Sequence, residues 1–70
     1  MAMQPVDSSA IAAIGYNAAD EVLCVRFRSG REHEYWSVPP DVYQALLTAN
    51  SIGRYFNAYI KDCYHERRVR

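Results

Sequence analysis

Residues 23–43 read LCVRFRSGREHEYWSVPPDVY, and the parity of this stretch decides the fold. Leu23, Val25 and Phe27 alternate with Cys24, Arg26 and Arg28, the period-two pattern of a half-buried strand over Val22 to Phe27. Arg28-Ser29-Gly30 then supplies a turn, with glycine where a positive φ is needed, as in a three-residue hairpin loop with a bulge. An odd loop sets His33 and Tyr35 on the face of Leu23 and Val25. A two-residue loop would instead aim Glu32 and Glu34 at the core, and burying unpaired carboxylates is costly. The odd loop is therefore expected, with Arg26 opposite Glu32 on the outer face.

Val38-Pro39-Pro40 ends that strand, because proline donates nothing to a sheet ladder. The same prolines suit a helix entrance, with Pro40 at the first helical position and Asp41 at the positive end of the dipole. Val42, Ala45, Leu46 and Ala49 follow at i, i+3, i+4 and i+7, a helix stripe. Asn50-Ser51 interrupts it, and Ser51 is a cap for a second helix. Ile52, Phe56, Tyr59, Ile60 and Cys63 line one side of that helix, which is expected to run to about Glu66. On the N-terminal side, Ser8 to Tyr16 (SSAIAAIGY) reads as a strand, kinked or bulged at Gly15, and Asn17 to Asp20 as a turn. Residues 1–7 are expected to form a loose leader and 67–70 a frayed basic tail. The whole of 1–70 reads as a single α+β domain, a three-stranded antiparallel meander followed by two helices packed on one face.

Seventy residues bound the chain to one domain. Half of them are hydrophobic, and six Tyr, two Phe and Trp36 give enough apolar volume for a small core. Eight basic residues balance eight acidic ones, so overall charge points to neither nucleic acid nor membrane. Lys61, Arg67, Arg68 and Arg70 nonetheless crowd the C-terminus. Cys24 and Cys63 are too few for the disulfide framework of a small secreted domain, and with His33 and His65 they match no zinc spacing. The N-terminus lacks a signal-peptide pattern, and no run approaches the ~18 apolar residues of a membrane span. A cytoplasmic protein without cofactor or metal is expected.

Ser8-Ser9, Ile14-Gly15-Tyr16, Leu23-x-Val25-x-Phe27, Gly30, Glu34-Tyr35, Val38-Pro39 and Tyr43 occur in that order. Ala49-x-Ser51-x-Gly53-x-Tyr55-Phe56-Asn57, then Ile60 and Tyr64, complete the series. Together they resemble the KTSC domain, a short module named for its occurrence at the C-terminus of some lysyl-tRNA synthetases and also found free-standing in bacteria and phages. One departure stands out: the family's central Tyr-x-Tyr is here His33-Glu34-Tyr35. The resemblance implies a binding module, with RNA as the partner that the synthetase fusion suggests.

Chemistry-bearing residues are sparse. Ser51-Ile52-Gly53-Arg54 combines free amides, a glycine and a cation at a helix start, an anion-binding arrangement that is equally a well-capped helix. Arg26 and Trp36 share the outer hairpin face and could form a minimal base-stacking platform. Glu32 and Glu34 put negative charge in the same place, which fits cross-strand ion pairing on a solvated sheet. Arg67 and Arg68 would add phosphate contacts or complement a helix end. His33 and Tyr35 could form an acid–base pair or a stacking platform, but parity puts both on the core side, which favours a hydrogen-bonded histidine and a half-buried tyrosine. No phosphate loop, catalytic carboxylate pair or nucleophile elbow is present. A non-enzymatic module follows, with RNA as ligand and a footprint on Ser51, Gly53, Arg54, Arg26, Trp36, Arg67 and Arg68. The alternative is a protein partner or a second copy docking on the open sheet face around Val22 and Trp36.

Overall fold

A computed structural model describes residues 2–70. The chain forms one antiparallel sheet in sequence order: β1 Gln4–Pro5, β2 Ile11–Asn17, β3 Val22–Phe27, β4 Glu32–Tyr35 and β5 Glu66–Arg68. Between β4 and β5 lie α1, Pro40–Thr48, and α2, Ile52–Tyr55, the latter running on into a π-helical turn over Phe56–Ile60.

The central hairpin has the expected register. Leu23 pairs with Tyr35, Val25 with His33 and Arg26 with Glu32, leaving Arg28-Ser29-Gly30 as the loop. Gly30 takes φ +97°, open to glycine and strained for other residues. The β2–β3 turn is held by Asn17, whose Oδ1 accepts from the amides of Ala19 and Asp20 at 3.0 and 3.2 Å. The core forms where the parity argument puts it. Ile14, Leu23, Val25 and Tyr35 of the sheet pack with Leu46, Phe56 and Ile60 of the helical layer. Tyr16 ties the layers together, stacking on Tyr43 of α1 at 4.4 Å and donating to the Val38 carbonyl at 2.6 Å.

The sheet has five strands, not three. The leader contributes β1, where Gln4 and Pro5 pair with Ile14 and Ala13. Its shortness and its proline blunt that edge. The tail contributes β5, where Glu66, Arg67 and Arg68 pair with Tyr35, Glu34 and His33. A three-stranded meander would leave the outer backbone groups of β4 unpaired, and the tail satisfies them. Charge supports the pairing, since Arg67 lies opposite Glu34.

The second helix accordingly stops short of Glu66. Its α-helical part is one turn, the π turn closes with the Lys61 amide bonding the Phe56 carbonyl at 2.8 Å, and Asp62 at φ +64° redirects the chain. The expected stripe holds at Ile52, Phe56 and Ile60, which pack on the core, while Tyr59 is 61% exposed and Cys63 is exposed. The irregularity in β2 also lies elsewhere than Gly15. The register shifts between Ile11 and Ala13, and Gly15 pairs regularly with Cys24.

Candidate functional site

Helices cover the sheet face that carries Leu23, Val25 and Tyr35, so the sequence-predicted site residues divide between two sides of the molecule. Arg26, Trp36 and Arg67 belong to the open face. There Arg26 Nε donates to Glu32 Oε1 at 3.0 Å and holds that carboxyl below the usual carboxylate range. Arg67 stands opposite Glu34 in the register. Each of these cations faces a carboxylate, so the open face offers little free positive charge. Trp36 is 42% exposed, but Val22 and Cys24 are already 7% and 5% exposed within the monomer. The Cys24 thiol is pushed up to about 11, first by burial and then by Glu32.

Ser51, Gly53 and Arg54 lie in the helical layer. Ser51 caps α2 as expected, its Oγ accepting from the Arg54 amide at 3.3 Å, so one of the amides available to an anion is already taken. Gly53 is not tightly packed, since a Cβ there would meet only Ser8 Oγ at 3.6 Å. Ser8 in turn receives the Arg28 Nε on its carbonyl at 2.6 Å, which links the start of α2 to the tip of the central hairpin.

Beside that link opens a cleft of about 530 Å³. Its aromatic side is Phe27, His33, Tyr35 and Phe56, and its cations are Arg28 and Arg31 from the hairpin tip and Lys61 after the π turn. Ser9, Ala10, Ser29, Asn57 and Glu66 complete the lining. The rings form an edge-to-face series, with Phe27 on His33 at 5.4 Å, Phe27 on Phe56 at 5.6 Å and Tyr35 on Phe56 at 5.4 Å. His33 Nδ1 lies 2.8 Å from Glu66 Oε2. Tyr35 is 1% exposed, and burial first, with Glu66 beside it second, drives its phenol pKa well above the ordinary tyrosine value. Arg68, across from His33 in the β4–β5 register, borders the same side. No cluster of three or more metal-ligating His, Cys, Asp or Glu side chains occurs among the described residues.

The sequence reading placed His33 and Tyr35 on the right face but missed the cleft. It treated Arg28-Ser29-Gly30 only as a turn and passed over Arg31, although two cations flanking a tight hairpin tip between Phe27 and His33 were visible. Glu66 and Lys61 were out of reach of pattern reasoning, because their positions depend on the π turn and on β5.

The chain is similar to known proteins over most of its length. The KTSC domain family model matches residues 7–64. A protein from Tsukamurella paurometabola is 49% identical over 59 residues, covering 84% of this chain and 88% of that one. A lysine–tRNA ligase from Nostoc punctiforme is 38% identical over 55 residues, which is 79% of this chain and 10% of the ligase. The crystal structure of a KTSC domain protein from Yersinia pestis superposes with a TM-score of 0.96 at 35% identity, covering 99% of this chain and 97% of that one. The fold, the matched residues and these relatives together place the chain in the KTSC domain family.

Proposed function

We propose that this chain is a small non-enzymatic binding module whose ligand is single-stranded RNA. The observation that supports the reading is a gathering of positive charge on a neutral chain. Arg28, Arg31 and Lys61 line one cleft with Glu66 as its carboxylate, and Arg68 stands beside it. Phosphate contacts of this kind supply most sequence-independent affinity, and aromatic side chains supply stacking. Ser51, Gly53 and Arg54 would add a further contact at the start of α2, with Gly53 beside Ser8. Arg26, Trp36 and Arg67 form a second, weaker contact on the open face. The similarity to a segment of a lysine–tRNA ligase adds an RNA context.

The other reading, a protein partner or second copy on the open face, fits less well. Val22 and Cys24 have little area left to bury, Arg26 is paired with Glu32, and Arg67 lies opposite Glu34 in the register.

Titration of the labelled protein with short single-stranded RNA at low and moderate salt tests the proposal. Weak binding that falls steeply with salt is expected, with a slope of about −0.7 per phosphate neutralised. Absence of any RNA-induced change at low salt would overturn it.

A further inference from the structure

The cleft has features that a simple cationic path for a nucleic-acid backbone does not need. Phe27 and His33 remain only half-buried in a domain short of core, which leaves apolar ring surface in contact with water. Larger side chains at Ser9 or Ala10 would cover them. The lining positions there are small, and the hollow stays open.

The helical wall is also unusual. A π turn is rare and concentrates at functional sites. This one includes Phe56 and Asn57, with Lys61 directly after it, and all three line the cleft. Polar groups are sorted as well: cations at the hairpin tip and after the π turn, and hydrogen-bonding groups on Asn57 and Glu66. One Glu66 oxygen is held by His33, and the carboxylate still has acceptor capacity.

The volume falls within the roughly 300–1,000 Å³ of small-ligand sites. A plane-shaped apolar body, a polar edge and a negative charge are what such a lining recognises together. An acidic peptide side chain would use the cations and leave the aromatic wall idle.

We propose that the cleft is a subsite for one nucleotide unit, a base carrying a phosphate. The base lies against Phe27 and His33 with its polar edge toward Asn57 and Glu66, and the phosphate is held by Arg31 and Lys61. Unstacked bases are recognised in this way, by aromatic contact and hydrogen bonds to the base edge. The unit has two possible sources, a free mononucleotide or one splayed nucleotide of a strand, and only the second rests on the RNA reading above.

The test is residue-resolved NMR on the full chain, with uridine and adenosine 5′-monophosphates, inorganic phosphate and a six-nucleotide single-stranded RNA as probes. A second protein, Ala10→Phe, fills the cleft mouth at an exposed position while leaving the core intact. The expected result is shifts at Phe27, His33, Asn57 and Lys61 with RNA, with or without the same shifts from the mononucleotides. Inorganic phosphate should reach only Arg31 and Lys61. Ala10→Phe should weaken nucleotide binding by roughly ten-fold, the loss of one stacked base. Shifts with both mononucleotide and RNA identify a general nucleotide site, and shifts with RNA alone identify a subsite for a strand.

Three outcomes would overturn the subsite. Inorganic phosphate reproducing every nucleotide shift, with Ala10→Phe having no effect, would reduce the cleft to an anion site. RNA binding confined to Arg26, Trp36 and Arg67 would remove the cleft and leave the RNA reading standing. Silence with every probe would remove both.

Discussion

His33 Nδ1 and Glu66 Oε2 meet at 2.8 Å, joining the centre of β4 to the first residue of β5 across 33 positions of sequence. The contact lies on the cleft wall, since both residues line the cleft. It helps hold the last strand against the hairpin, and so helps define the cleft. Both side chains retain exposure, 23% and 35%, so solvent weakens the attraction.

A double-mutant cycle on His33→Ala and Glu66→Ala, followed by urea denaturation, is therefore expected to give a small favourable coupling of about 0.2–1 kcal/mol. A coupling of zero would mean that the backbone ladder alone holds β5.

Tyr35 predicts an alkaline limit to stability. Its folded pKa is raised, by burial first and by Glu66 second. A raised phenol pKa contributes stability that is complete below the ordinary tyrosine value and is lost as pH rises through and beyond it. Tyr16 is shifted in the same direction by burial and then by Glu21 and Asp41. Phenolate absorbance and circular dichroism recorded together should show Tyr35 ionising only as the fold is lost, with Tyr35→Phe extending stability to higher pH. Complete tyrosine ionisation with an intact fold would contradict this.

The start of α2 separates capping from packing. Ser51→Ala should cost about 1 kcal/mol, because its Oγ holds the Arg54 amide. Gly53→Ala should be neutral or stabilising by up to about 1 kcal/mol, since the added Cβ finds ordinary contact with Ser8 Oγ and helix propensity improves. Thermal denaturation of both variants checks the pair, and a strongly destabilised Gly53→Ala would show closer packing than the structure has.

The two thiols should behave differently. Cys24 is buried with its pKa pushed up to about 11, and Cys63 is exposed. A thiol reagent at mildly alkaline pH should modify Cys63 promptly and Cys24 only on unfolding. Prompt reaction of both would contradict the burial of Cys24.

Local rules made the central hairpin legible: the alternation of Leu23, Val25 and Phe27, the Gly30 turn and the cost of burying Glu32 and Glu34 fix its register. The Ser51 cap was legible for the same reason. β5 was not, because Glu66-Arg67-Arg68 has no strand pattern of its own and becomes a strand only by meeting the free edge of β4. The complementary charges of Glu34 and Arg67 were a faint signal of that pairing. The second helix was overextended because its apolar spacing continues to Cys63, while the π turn and the positive φ of Asp62 carry no sequence signature. The cleft joins residues from both of these regions, so it became visible only in three dimensions.

The most direct measurement compares RNA affinity and its salt dependence in three proteins: the wild type, the cleft variant Arg31→Ala/Lys61→Ala and the open-face variant Arg26→Ala/Trp36→Ala. Binding through the cleft predicts that the first variant loses affinity and that its salt slope falls by roughly 0.7 for each phosphate contact removed. The open-face variant should retain most of both. Loss of binding in the open-face variant, with the cleft variant unchanged, would contradict the assignment of the cleft as the RNA site.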